Sequence, residues 1–141
     1  MLAMQAARVM VIDDNDFVRE TVATMLAEIG VGHVAQAKDG SQALKQIEAV
    51  DPALVICDIS MKPMNGLDFV SALRRQPWPR ATEIPVIFLT VHTEASIVKQ
   101  AVKLGVKAYV VKPVQKKQLE ARIVTVLENS QTGDRSTPTG S

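Results

Sequence analysis

The chain is predicted to fold as one α/β domain in which helices cover both faces of a parallel sheet. Two observations support this prediction. Strand-like and helix-like segments alternate five times along the 141 residues, and several strand-like segments are continuous apolar runs. A strand of a parallel sheet is buried on both faces, so it shows such a run rather than an alternation of apolar and polar residues. A chain of this length buries a sufficient core without a disulfide or a structural metal.

Five segments are predicted as strands, at residues 8–12, 33–37, 53–57, 85–90 and 107–111. The first, third and fourth are the apolar runs and are expected in the middle of the sheet. The second mixes apolar and polar residues, which favours a sheet edge. Since each strand is followed by a helix, right-handed crossovers between parallel strands are expected.

Five helices are predicted from apolar residues that recur at helical spacing. The first begins after a cap at Asp14 or Asn15 and ends at Gly30, because glycine readily adopts the left-handed backbone that ends many helices. The others are predicted at residues 41–50, after a cap at Asn65, after a cap at Thr93 as far as Gly105, and at about residues 115–128.

One domain is predicted over residues 7–129, followed by a polar tail at residues 130–141 that is predicted to be disordered. The single cysteine, Cys57, lies inside an apolar strand and is interpreted as a core residue. No apolar run is long enough to span a bilayer and the start lacks a secretory signal pattern, so a cytoplasmic location is expected.

Charged residues close three of the predicted strands. Asp13 and Asp14 follow the first strand, Asp58 follows the third, and Lys112 follows the fifth. These side chains should lie together, because the carboxyl ends of parallel strands share one edge of the sheet. Clustered carboxylates repel unless a cation intervenes, and Mg²⁺ often binds one or two carboxylates plus a phosphate. The pattern predicts a metal-dependent phosphoryl-acceptor site, to which Thr90 would add a hydroxyl.

Together these residues resemble the CheY-like receiver domain of response regulators. The resemblance covers essentially residues 7–129. It rests on Asp13-Asp14, on Asp58 followed by Met61-Lys-Pro-Met-Asn-Gly66, on Thr90, and on Tyr109-Val-Val-Lys-Pro113. It implies a flavodoxin-like (βα)5 three-layer sandwich with the strand order 2-1-3-4-5.

The resemblance also implies chemical roles. Asp58 would accept a phosphoryl group from a phosphohistidine on a sensor histidine kinase or a histidine phosphotransfer protein. Thr90 and Lys112 would contact the phosphoryl oxygens. Mg²⁺, with Mn²⁺ as a substitute, would be held by Asp13, Asp14, Asp58 and the backbone carbonyl of Ser60.

A switch is implied as well. Tyr109 would move with Thr90 and change the face formed by the fourth predicted helix, the fifth strand and the fifth helix. That face would then control partner binding. The Lys112–Pro113 peptide bond would be cis. Such a domain promotes only its own phosphorylation and dephosphorylation, so no enzymatic activity on other molecules is expected.

The chain departs from the usual pattern of this family near the site. Val91 stands where the family usually has a small residue, and His92 stands at a position linked to the rate of phosphoryl loss. We predict that these two residues and Ser60 tune the lifetime of the phosphorylated form. Pro63 comes one place later than usual, after Lys62. The acceptor and metal assignments do not depend on that shift.

A lysine-rich stretch predicts a surface for a protein partner. Residues 95–119 contain six lysines and no acid. Many transcription-factor receivers carry acids, at the positions of Lys107 and Ala108 here, that form salt bridges across a dimer. A monomer or weak dimer is therefore expected. The lysines and apolar Val98 and Val102 favour an acidic or helical partner, whereas the net charge of +1 argues against nucleic acid.

Other functions stay open on the sequence alone. The domain could shuttle phosphate within a relay, or be the receiver of a larger response regulator or hybrid kinase. An aspartyl-phosphatase-type enzyme would need a second acid where Ser60 stands. A flavodoxin would need a phosphate loop rich in Ser, Thr and Gly where Asp13-Asp-Asn-Asp16 stands. A receiver-like module without phosphorylation would not need the intact set of acids. The cognate kinase, target and pathway are not determined.

Overall fold

The structure is a computed structural model, and it describes residues 2–91 and 95–136. Its elements are α1 (Leu2–Ala6), β1 (Arg8–Ile12), α2 (Asp16–Ile29), β2 (His33–Ala37), α3 (Gly40–Val50), β3 (Leu54–Asp58), α4 (Gly66–Arg74), a short 3₁₀ helix (Pro79–Thr82), β4 (Val86–Thr90), α5 (Ala95–Lys103), β5 (Ala108–Val111) and α6 (Lys116–Ser136).

The five strands form one parallel sheet in the order β2-β1-β3-β4-β5. The predicted fold class and strand order are confirmed. All residues of β3 and β4 are buried, as their apolar runs predicted, whereas β2 is partly exposed at one edge. The register pairs Ile12 with Cys57 and Thr90 with Val111, so the carboxyl ends of the strands line up.

Two core layers pack against opposite faces of the sheet. Along β1, Val9 and Val11 belong to one layer and Met10 and Ile12 to the other, since successive side chains of a strand point to opposite faces. Both faces are covered, which explains why the strand is apolar throughout. Cys57 is a core residue as predicted, and burial raises the pKa of its thiol well above the ordinary value.

The helix ends mostly match their sequence signals. Of the two residues predicted to cap α2, Asn15 does so, because its side chain accepts a hydrogen bond from the Val18 N–H. Gly30 ends that helix with φ 111°, and Asn65 caps α4. The predicted cap Thr93 lies outside the described residues.

Both ends of the chain contain helix that the sequence signals did not predict. α6 continues to Ser136 rather than ending near residue 128, so the first part of the predicted disordered tail is helical. Residues 137–141 lie outside the described residues, and the division into domain and tail stays a prediction. α1, with five residues, is too short to show a period. No described helix is long and apolar enough to cross a membrane.

α1 packs at the edge of the sheet where the strands begin. The Gly32 N–H donates to the Met4 carbonyl at 3.3 Å, and the His33 N–H donates to the Ala7 carbonyl at 3.2 Å. A Cβ on Gly32 would lie 1.8 Å from the carbonyl oxygen of Gln5. Glycine is therefore required at position 32 as long as α1 stays in this place.

We expect Gly32→Ala to lower the free energy of unfolding by about 1–3 kcal/mol, because the new methyl group forces α1 away from the sheet. Urea denaturation followed by circular dichroism measures this loss. The control is the same substitution in a chain that begins at residue 7, where the loss should fall below about 0.5 kcal/mol. An equal loss in both backgrounds would contradict the close contact with α1.

Candidate functional site

The predicted acids meet at the carboxyl edge of the sheet. Asp13 and Asp14 directly follow β1, and Asp58 is the last residue of β3. Each of the three offers a carboxylate oxygen, and these atoms all lie within 4.8 Å of one another. Asp13 and Asp58 are buried, whereas Asp14 is exposed. The structure therefore brings together the three carboxylates that the strand ends predicted.

Lys112 places its ammonium between the two buried carboxylates. It follows β5, and its Nζ lies 3.0 Å from Asp58 Oδ1 and 3.4 Å from Asp13 Oδ2. The peptide bond between Lys112 and Pro113 is cis, as the resemblance implied, and the bond between Lys62 and Pro63 is cis as well. One ammonium thus serves carboxylates from two different strands.

The electrostatics leave the site short of positive charge. Burial raises the pKa of Asp58 and the charge of Asp13 adds to this, while the contact with Lys112 and a hydrogen bond from the Ser60 backbone oppose it in part. Burial alone would lower the pKa of Lys112, but its contacts with Asp58 and Asp13 outweigh burial and raise it. Lys112 therefore stays charged, and a further cation would favour the ionised form of Asp58.

The donor set suits a hard divalent cation. Three carboxylates within 4.8 Å provide oxygen ligands, and two of them are largely shielded from water. Mg²⁺ prefers oxygen ligands and retains several waters, for which the exposed side of Asp14 leaves room. Asp13, Asp14 and Asp58 are the residues that could hold it.

A cavity of about 230 Å³ opens over these carboxylates. Ser60 and Val91 lie at its wall, and Val91 is 58% exposed. Its lining consists of Asp13, Asp14, Asn15, Val18, Asp58, Ser60, Val91 and Lys112. The cavity is open enough to admit a phosphoryl group beside Asp58. His92, which was predicted to tune the site with Val91, lies outside the described residues.

The predicted switch residues lie on β4, which is adjacent to the strand of Asp58, and on β5, which is one strand further out. Thr90 is the buried last residue of β4. Tyr109 on β5 is half-buried, and its hydroxyl donates to the Val98 carbonyl of α5 at 3.4 Å. The Tyr109 carbonyl accepts a hydrogen bond from Arg122 of α6, beside a larger groove of about 910 Å³. Tyr109 therefore links both helices that flank β5.

Backbone groups that the sequence analysis missed also hold the carboxylates. The Asn15 N–H donates to Asp13 Oδ1 at 2.9 Å, and the Lys62 N–H donates to Asp14 Oδ2 at 3.3 Å. A Cβ on Gly66 would lie 2.7 Å from the Asp58 carbonyl oxygen, so this glycine lets α4 begin directly beside the end of β3. The sequence carries no signal for the amide contacts, because every residue except proline has an N–H.

The family model for the response regulator receiver domain matches residues 9–124 of this chain. The chain belongs to this family. Such receiver domains are signalling switches of two-component systems, and the resemblance drawn from the acids, Lys112 and Thr90 is confirmed at the level of the family.

Two sequence relatives differ in how much of their length the match covers. Chemotaxis protein CheY1 of Helicobacter pylori is 33% identical over 121 residues, which cover 85% of this chain and 96% of CheY1. The probable transcriptional regulator ycf27 of Porphyridium aerugineum is 36% identical over 124 residues, which cover 88% of this chain and 49% of that protein. The receiver domain therefore spans about half the length of the ycf27 relative.

Solved structures share the architecture. Chemotaxis protein CheY4 of Vibrio cholerae superimposes with a TM-score of 0.79 at 28% sequence identity, over 85% of this chain and 98% of that one. The five-stranded parallel sheet of this receiver domain is thus the CheY-like fold.

We expect Lys112→Met to lower the free energy of unfolding at pH 7, in the absence of divalent cations, by about 2–4 kcal/mol, because it leaves Asp13 and Asp58 buried without a counter-charge. The pKa of Asp58 is already raised by burial. The folded variant therefore binds protons more readily than the unfolded chain, and its deficit should shrink as pH falls from 7 towards 5.

Urea denaturation at several pH values in the presence of a chelator measures this deficit. The matched control is Lys116→Met, since Lys116 pairs with the exposed Glu28. That variant should lose less than about 1 kcal/mol at every pH. A deficit of Lys112→Met that grows as pH falls would contradict the assigned charge balance.

Proposed function

We propose that this receiver domain is a phosphoacceptor switch in which Asp58 takes a phosphoryl group from a phosphohistidine. The observation that carries the proposal is the Asp58 carboxylate itself, which borders the open cavity and lies 3.0 Å from the Lys112 ammonium. The donor would be a sensor histidine kinase or a histidine phosphotransfer protein. A cytoplasmic location is part of this proposal.

The reaction is a displacement at phosphorus. A carboxylate oxygen of Asp58 forms the new O–P bond while the P–N bond to the donor imidazole breaks and its electron pair returns to nitrogen. Asp58 must be ionised to attack, and Lys112 favours that form by its charge and hydrogen bond. Lys112 also neutralises charge on the transferred oxygens, which is the main contribution a protein makes to phosphoryl transfer.

A divalent cation would complete the charge balance. Asp13, Asp14 and Asp58 would hold Mg²⁺, or Mn²⁺ in its place, together with the Ser60 backbone carbonyl. When bound, the ion supplies Lewis-acid stabilisation of the phosphoryl oxygens. The Asn15 and Lys62 backbone amides keep Asp13 and Asp14 directed into the site.

The output would pass through the face formed by α5, β5 and α6. A phosphoryl group on Asp58 brings in new acceptor oxygens that draw Thr90 inward, and Tyr109 then repacks on the neighbouring strand. The Tyr109 hydroxyl donates to the Val98 carbonyl, so repacking of this side chain changes its contact with α5, while the Tyr109 backbone carbonyl accepts from Arg122 of α6. Such a switch needs two states within a few kcal/mol of each other.

We expect Asp58→Asn to abolish phosphoryl uptake, because an amide is not nucleophilic enough to attack phosphorus. Labelling by a small phosphoramidate, whose P–N bond stands in for phosphohistidine, is measured by intact-protein mass in the presence of Mg²⁺.

The matched control is Asp68→Asn, which removes the same charge from the first turn of α4. It should label like the unaltered protein. Efficient Mg²⁺-dependent labelling of the Asp58→Asn variant would refute the acceptor assignment.

We expect Val91→Ala to shorten the lifetime of the phosphorylated form about threefold, a change of about 0.7 kcal/mol in the barrier, because a smaller side chain at the cavity wall admits water more easily. Loss of the added mass after removal of the donor measures this rate. The control is Val102→Ala on α5, an exposed valine that does not line the cavity. An unchanged lifetime in Val91→Ala would exclude this role.

A further inference from the structure

Arg19 has an unusual set of contacts for a residue on a helix surface. It lies one turn into α2, and its side chain is only 13% exposed. Its guanidinium makes three contacts in different directions: NH1 to the Asp13 carbonyl at 3.0 Å, NH2 to Asp16 Oδ1 at 2.8 Å, and Nε to Gln36 Oε1 of β2 at 3.0 Å. The planar fork of arginine carries its donors on three separate nitrogens, which allows all three contacts at once.

The contact with Asp13 acts on the peptide unit that joins the two neighbouring acids. The carbonyl of Asp13 and the N–H of Asp14 belong to one planar group. Arg19 holds the oxygen of that group, while the Asp13 N–H is held by the Ala37 carbonyl at 3.2 Å. The main chain is therefore fixed on both sides of the Asp13 side chain.

Asp14 depends on this peptide unit more than Asp13 does. The Asp13 side chain is fully buried and contacts both Lys112 and the Asn15 N–H. Asp14 is exposed, and among the described residues its carboxylate contacts only the Lys62 N–H, at 3.3 Å. The direction of its Cα–Cβ bond follows from the orientation of the preceding peptide, so a loosened peptide would let the Asp14 carboxylate swing into solvent.

We propose that Arg19 is a positioning residue for the cation site: by holding the Asp13 carbonyl, it aligns the carboxylates of Asp13 and Asp14 for one divalent ion. This inference rests on the proposed function, since it requires Mg²⁺ to bind there. The proposed effect of Arg19 on Mg²⁺ affinity has the opposite sign to the effect of its positive charge. A guanidinium near the site repels a cation, so an effect through charge alone would make Mg²⁺ bind more tightly when Arg19 is removed.

The test measures Mg²⁺ affinity by isothermal titration calorimetry on the full chain after treatment with a chelator. Arg19→Met keeps the aliphatic stem and removes every donor. We expect its Kd for Mg²⁺ to rise about tenfold, as is typical when a residue that orients a metal ligand is lost. An unchanged or lower Kd would overturn the proposal. Thermal unfolding without Mg²⁺ establishes that the variant is folded at the temperature of the titration.

Gln36→Leu is the matched control, because it removes a neutral partner of Arg19 and leaves the carbonyl contact in place. Its Kd should stay within about twofold of the unaltered protein. A tenfold rise in this control as well would mean that general loosening of the loop, rather than the carbonyl contact, sets the affinity, and would overturn the proposal. Should Arg19→Met fail to fold, Arg19→Gln decides: its side chain is polar but too short to hold the Asp13 carbonyl, so its Kd should still rise, and an unchanged Kd would overturn the proposal.

Failure of the proposed function gives a different result. If the unaltered chain does not bind Mg²⁺, or if Asp13→Asn binds it equally well, the cation site itself is wrong. If the unaltered chain binds Mg²⁺ and Asp13→Asn does not, while Arg19→Met retains full affinity, only the role of Arg19 is wrong.

Discussion

The geometry of the acidic site depends on two buried carboxylates that share one ammonium. Asp13 comes from the end of β1, Asp58 from the end of β3 and Lys112 from the end of β5, and the Lys112 Nζ lies within 3.4 Å of both carboxylates. A buried carboxylate that loses its partner costs several kcal/mol. The ion pairs therefore connect strands that are not all adjacent, and they work only while the parallel register aligns the strand ends.

The charges in this cluster are not balanced. Three carboxylates face one ammonium, and burial raises the pKa of Asp58. A cluster chosen for stability alone would carry fewer acids, because an unbalanced buried charge weakens the fold. Three carboxylates beside one ammonium instead favour the binding of a further cation.

The main chain does as much as the side chains to arrange the site. Backbone amides of Asn15 and Lys62 point at Asp13 and Asp14, and Gly66 permits α4 to start against the backbone of Asp58. The sheet supplies rigid starting points, and the short loops after β1 and β3 turn back on the carboxylates. Loops held on a rigid scaffold combine accurate placement with access from solvent. β4 ends at the buried Thr90, and Tyr109 on β5 contacts α5 and α6.

The sequence by itself determined the five strands, the class of fold and the identity of the charged residues. Continuous apolar runs indicate strands that are buried on both faces. Residues such as Gly30 and Asn65 indicate helix ends, because of the backbone freedom of glycine and the hydrogen-bonding side chain of asparagine. The tertiary structure decided the docking of α1 at Gly32, the length of α6 and the distances within the site. These features arise from contacts of backbone groups and from packing between distant segments. Such groups are common to nearly all residues, so no pattern in the sequence marks which of them meet.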